Sequence, residues 1–174
     1  EIREQIGKGG LGAVYKAFDN QLQREVAIKV MLPATRSRLA EARFEVERQA
    51  LAQLSHRAIA QIFDAGRLPG GGLFFAMEYV PGAPLDQFLD AHRLSLRALV
   101  ELLIEVCHGV QHAHQRGLIH RDIKPLNILV NQVDGQAQPK LIDFGVAISE
   151  GADAHDAKAS YYRAGTRAYM APEQ

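Results

Sequence analysis

The sequence predicts an α+β fold in two lobes. Alternating, β-branched segments crowd the first third of its 174 residues, and one helical pattern interrupts them. After Pro-Gly-Ala-Pro at 81–84 the pattern turns mainly helical. These observations give a first lobe at 1–80, an antiparallel sheet with one helix. They give a second at 81–174, a partial helical lobe.

The elements follow in order. "EIREQIGKGGLGAVYKAFD" sets apolar ends around four glycines, then alternates Ala13, Tyr15 and Ala17 against Val14, Lys16 and Phe18. "REVAIKVML" is a second strand closed by Pro33. From Arg36 to Ser55 the period becomes helical, with Phe44, Leu51 and Leu54 on one face. "IAQIFDAGRL" and "GLFFAMEYV" read as strands joined through "PGGG". Beyond the 81–84 hinge, Ser95 suits an N-cap. Leu99, Leu102, Leu103, Val106, Val110 and Ala113 keep helical spacing, and Gly117 can end that helix. "NILVN" and "PKLIDF" are two short strands linked by "QVDGQAQ". Residues 146–168 are polar, Ala-rich and weakly patterned.

Composition narrows the class. Apolar residues are 47%, charged residues 23%, and Lys+Arg equals Asp+Glu at 20 each. This is an ordinary globular balance, with no general nucleic-acid surface expected. The single cysteine, Cys107, forbids an internal disulfide and suits a reducing compartment. No membrane segment is expected in this stretch. The start at Glu1 and the stop at Gln174 read as those of a fragment.

Gly7-x-Gly9-x-x-Gly12-x-Val14 allows backbone amides close to phosphate oxygens. A plain flexible turn is the alternative. A strand rather than a helix follows, which disfavours a dinucleotide loop, and no Gly-Lys-Ser/Thr closes a P-loop. Lys29 ends "VAIK" in an apolar strand; if inward, it needs an anion. Glu47 shares the apolar face of Phe44, Leu51 and Leu54 and is preferred over Glu45 for that role. A snorkelling lysine and a boundary glutamate are the alternatives.

"HRDIKPLN" at 120–127 sets Asp122, Lys124 and Asn127 at offsets zero, two and five. "DFG" follows at 143–145 and "APE" at 171–173. Glycine loop, VAIK, HRD…N, DFG and APE in this order resemble the protein-kinase family, and the resemblance covers essentially the whole chain. The fold it implies is a two-lobed protein-kinase-like fold, truncated after APE.

The resemblance implies roles. Asp122 would orient a substrate hydroxyl and accept its proton, and Lys124 would steady the γ-phosphate. Asn127 and Asp143 would hold Mg²⁺, and Lys29, held by Glu47, would grip the α/β-phosphates of ATP. The amides from Gly7 to Gly12 would cover the phosphates. Adenine would meet Ile6, Val14, Ala27 and Leu129, with Met77 as gatekeeper and the backbones of Glu78 and Val80 at the purine edge. The lysine two places after Asp122 resembles serine/threonine kinases, and the wider sequence is similar to bacterial eukaryotic-like kinases. Thr166 would bridge Asp122 and the pocket beyond the acceptor residue.

Arg121 before Asp122 resembles kinases activated by loop phosphorylation. Ser160 is the expected site, reached through self-association, although relatives usually offer threonines there. The expected partner is a protein substrate with Ser/Thr hydroxyls. The expected localisation is cytoplasmic, with any membrane tether outside this segment. A nucleotide-binding pseudokinase scaffold and a small-molecule kinase of related fold are the alternatives. The family's later helices follow APE, so this segment alone is expected to expose an apolar patch. A zinc site at His108, His112 and Cys107 is rejected for want of a third ligand at sensible spacing. His120 is expected to bond backbone near Asp143, His56 to cap the helix end, and Cys107 to fill a buried apolar space.

Overall fold

A computed structural model of the chain describes residues 1–9, 12–31, 48–69, 71–144 and 166–170. The described residues of Glu1–Gln53 and Gln61–Tyr79 form one unit. Those of Leu54–Ala60, Val80–Val146 and Tyr161–Gln174 form a second.

The first unit is built on a five-stranded sheet. Its strands are β1 (Ile2–Gly9), β2 (Gly12–Asp19), β3 (Arg24–Met31), β4 (Ile62–Arg67) and β5 (Leu73–Glu78). They run antiparallel in the order β1-β2-β3-β5-β4. The β-branched "VAIKV" run takes the central position, where both faces need side chains that pack. Val14 pairs with Lys29, Lys29 with Phe75, and Ala27 with Met77. Paired residues share a sheet face, so these five side chains present one surface. Residues 48–52 are helical, and Leu51 and Leu54 are buried, as the apolar periodicity requires. Phe44 and Glu47 lie outside the described residues.

Turn chemistry sets the hairpins. Asp19 Oδ1 accepts from the amides of Gln21 (3.0 Å) and Leu22 (3.1 Å), which closes the β2–β3 turn. In "PGGG", Leu68 N–H donates to Gly72 O and Gly71 N–H to Leu68 O, both at 2.8 Å. Gly12 has φ of +149°, and a Cβ there would sit 2.0 Å from Val30 O. The third glycine of the loop motif is therefore demanded by β3 passing alongside, quite apart from any ligand.

The second unit carries a three-stranded antiparallel sheet, β6 (Ala83–Pro84), β7 (Ile128–Val133) and β8 (Gln136–Leu141), in that order. β6 lies inside the Pro-Gly-Ala-Pro stretch, and pairing with Leu129 and Val130 gives it strand form. Gly82 permits this, since a Cβ would stand 2.7 Å from Val130 O. Asp134 (φ 52°) and Gly135 (φ 77°) make a two-residue turn. The link expected across "QVDGQAQ" is thus shorter, because Asp-Gly tolerates two successive positive φ angles and lets the strands run on.

Two helices follow β6, α1 (Leu85–Ala91) and α2 (Leu96–His114). Ser95 Oγ accepts from Ala98 N–H at 3.2 Å, which caps α2. At its far end Gly117 N–H donates to His114 O (2.9 Å) and Leu118 N–H to Ala113 O (3.0 Å). With Gly117 at φ +73°, this is a Schellman stop. The buried stripe of α2 is Leu102, Val106, Gly109 and Ala113. Leu96, Val100, Leu103 and Ile104 are exposed. Cys107 is exposed too, which corrects the buried placement expected for it. At i+1 from Val106 it falls off the buried stripe.

The segment 54–60 is clamped in this unit. Leu141 N–H donates to Ala58 O (2.8 Å), Ala60 N–H to Leu141 O (2.9 Å), and Arg57 Nε meets Glu105 Oε2 at 2.8 Å. His56 does not cap a helix. Its Nδ1 accepts from Ala58 N–H at 3.1 Å, closing the turn that starts the segment. Among the described residues, no helix is long and apolar enough to cross a membrane.

Candidate active site

Among the described residues, a dense polar cluster is formed by the loop from His120 to Asn127. Pro125 opens a single 3₁₀ turn, Pro125–Asn127, whose cap Lys124 is extended. That turn sends Asn127 inward, buried, and leaves Leu126 exposed. Asn127 Nδ2 donates to Asp122 O (2.8 Å) and to Asp122 Oδ2 (3.0 Å). Lys124 Nζ lies 2.7 Å from the same Oδ2. The other oxygen, Oδ1, accepts from Thr166 N–H (2.8 Å) and from Thr166 Oγ1 (3.0 Å). Lys124 Nζ also donates to Thr166 Oγ1 at 2.7 Å.

One carboxylate thus gathers four donors from three residues, one of them 44 positions away in sequence. Burial alone pushes the Asp122 carboxyl up. The hydrogen bonds from Lys124 and from the side chain and backbone of Thr166 outweigh it and hold the group below its ordinary value.

His120 supports this loop from beneath and is 1% exposed. Its Nε2 lies 3.0 Å from Ile142 O, and its Nδ1 accepts from Asp122 N–H at 3.3 Å. A carbonyl only accepts and an amide N–H only donates, so the proton sits on Nε2 and the ring is neutral. Burial lowers its pKa in the same sense. Its ring contacts Phe144 with centroids 4.6 Å apart. Asn127 O accepts from Ile142 N–H at 3.0 Å, tying the loop to the chain just before Asp143. Asp143 (φ 61°) and Arg121 (φ 66°) both hold left-handed backbone, a strained state for non-glycine residues that tends to mark functional positions.

Asp122, Lys124, Asn127 and Thr166 are thus brought into direct contact, with Asp143 on the adjoining strand exit. Leu129 (β7) and Val80 belong to the same unit, Val80 buried and its carbonyl accepting from Gly82 N–H at 2.8 Å.

The remaining predicted residues lie in the first unit. Lys29 is 8% exposed on the central strand, which rules out the snorkelling alternative. It shares its face with Val14, Ala27 and Met77. Gly7 pairs with Val14 and Gly9 with Gly12, so the glycine motif forms the end of the β1–β2 hairpin. Ile6 falls at the irregularity between Gln5 and Gly7 and is exposed. Glu78 N–H donates to Gln61 O at 2.8 Å. Glu47 and Ser160 lie outside the described residues.

The protein kinase domain family matches residues 1–174. The chain belongs to the protein kinase family. A probable serine/threonine-protein kinase of Streptomyces coelicolor is 33% identical over all of this chain and 26% of its own length. The serine/threonine-protein kinase PknA of Mycobacterium tuberculosis is 38% identical over 99% of this chain and 40% of its own. The chain therefore spans well under half the length of these curated relatives. Among solved structures, the M. tuberculosis PknI kinase domain superposes with a TM-score of 0.71 at 28% identity. That match covers 91% of this chain and 62% of the other. Rad53 in complex with AMP-PNP gives 0.70 at 29% identity, over 83% and 37%. The kinase-like fold expected from the motif order is the fold found.

Proposed function

We propose that the chain is the nucleotide-binding and catalytic part of a serine/threonine protein kinase. The reaction would pass the γ-phosphoryl group of ATP to Ser or Thr hydroxyls of a protein. The carrying observation is the Asp122 carboxylate, oriented by Lys124, Asn127 and Thr166. Its depressed pKa makes it a weak base. Phosphoryl transfer through a loose transition state asks for an oriented hydroxyl more than a strong base, so the geometry suits the chemistry. Lys124, already at Asp122, would meet the charge on the transferring group. The serine/threonine preference is supported by that lysine and by the relatives' names.

The donor set fits Mg·ATP. Asn127 spends its Nδ2 on Asp122, so its amide oxygen would be the atom to meet a cation, and Asp143 would add a carboxylate. Both are hard oxygen donors. ATP would supply the phosphoryl group and Mg²⁺ would screen its charge. Lys29 would hold the α/β-phosphates with Glu47 as its partner, beneath the amides of Gly7, Gly9 and Gly12. The face bearing Val14, Ala27 and Met77 would receive adenine. Activation by self-association and phosphorylation of Ser160 belongs to the same reading, supported by Arg121 beside Asp122. A cytoplasmic location, where ATP is at hand, belongs to the same reading.

The test is phosphotransfer from labelled ATP by the full-length protein, with Asp122→Asn beside it. Label on Ser or Thr, lost in the variant, is expected, and Ser160 should be among the phosphopeptides. A folded protein that binds ATP and transfers nothing would instead favour the scaffold reading.

A further inference from the structure

A second polar cluster lies on the segment 54–60 and helix α2. The rings of His56 and His112 are 5.1 Å apart between centroids, tilted by 41°. His56 Nδ1 accepts from Ala58 N–H, so the proton of that ring is on Nε2. His112 Nδ1 lies 3.3 Å from Arg116 Nη1. A guanidinium only donates, so this Nδ1 also accepts and the proton is on Nε2. That Nε2 is buried and makes no hydrogen bond. Both rings are thus held in the neutral form by their neighbours. A proton added to either Nδ1 would meet a donor head-on.

The pair sits where it can matter. Ala58 follows His56 by two residues and accepts from Leu141 N–H, while Ala60 donates back to Leu141 O. Leu141 ends β8 and precedes Asp143 by two residues. Gly109 lets α2 close on Ala58, with an added Cβ only 3.3 Å from Ala58 Cβ.

We propose that the His56–His112 pair is an acid-sensitive latch between segment 54–60 and helix α2. Protonation releases the segment and, with it, the two hydrogen bonds that hold Leu141. The charged groups facing the pair divide unequally. His108 and Arg57 oppose a charge on His56, and Arg116 and the His56 ring oppose one on His112. Among the described residues only Glu105 favours a charge, on His56, and its carboxylate is engaged by Arg57. Burial is the largest cause lowering both pKa values. The released form takes up protons at the ordinary value of 6.5, before the latched form does. The latch is therefore intact above that value and weakens as the pH falls below it.

Hydrogen exchange followed by mass spectrometry on the full-length protein tests this, comparing about pH 7 with about pH 5.5. Peptides covering 54–60 and 139–142 should lose protection, by up to about tenfold for each histidine that titrates. In His56→Asn/His112→Asn, Oδ1 replaces Nδ1 as acceptor but cannot take a proton, so protection should no longer depend on pH. Equal pH dependence in both proteins, or none in the native one, overturns the latch. Should the variant fail to fold, histidine-selective NMR of the native protein decides. Nε2-protonated rings titrating below 6.5 support it, and titration at or above 6.5 overturns it.

Discussion

The two polar clusters of the second unit make opposite use of burial. Around Asp122, four donors converge on one carboxylate, and the charged form wins although burial opposes it. Around His56 and His112 the neighbours are donors too, but they point at a base, and burial and donors together favour the neutral form. Both clusters have lowered pKa values, yet their stability responses occupy different pH ranges. The Asp122 contribution is full above 3.8 and is lost only as the pH falls through its lower folded value. The histidine pair begins to cost stability as soon as the pH drops below 6.5. A lowered pKa identifies the form the fold prefers; the neighbouring groups decide whether that form is a charge to be used or a charge to be kept out.

Substitutions can break each side of this contrast. The largest effect belongs to Asp122→Asn, which keeps the shape and removes the charge. Its phosphotransfer rate should fall by about 10²–10⁴-fold, read from initial rates with a protein substrate. Thr166→Ala removes one donor to Asp122 and the acceptor of Lys124. A loss of about 10-fold in kcat/KM is expected, with the Asp122 carboxyl rising toward its ordinary value in a carboxyl NMR titration. Gly109→Ala presses a methyl against Leu141 Cδ1 (3.2 Å) and Ala58 Cβ (3.3 Å), beside the latch and away from Asp122. It should cost about 1–3 kcal/mol in denaturant unfolding and loosen segment 54–60 ahead of the catalytic loop. Ser95→Ala removes only the α2 cap. A loss of about 1 kcal/mol, with transfer kinetics unchanged, is expected.

Much of the site was legible in the sequence because its parts are local. Asp122, Lys124 and Asn127 stand within six residues, and one proline-led turn is enough to bring an amide back to a carboxylate. For Lys29 the apolar strand left an inward and a snorkelling side chain both open, and the central position of β3 in the sheet decided for the buried one. Ser95 and Gly117 could be read because caps depend on the backbone of the next few residues. Cys107 and His56 were misread for the converse reason. Exposure of the first depends on which stripe of α2 meets Ala58 and Leu141, and the second bonds a turn rather than a helix end. The His56–His112 contact spans 56 positions of sequence, and no local pattern announces it.

By itself the sequence determined the strands of the first lobe, the long helix α2, the family and the chemical groups in the catalytic loop, since periodicity, turn residues and short motifs act over a few positions. Tertiary structure alone decided that Gly12 is required by β3 backbone passing alongside, that Gly109 lies tight against Leu141 and Ala58, and that two histidines face each other. Those outcomes depend on close packing between distant segments, where tenths of an ångström and the direction of a single hydrogen bond select the result.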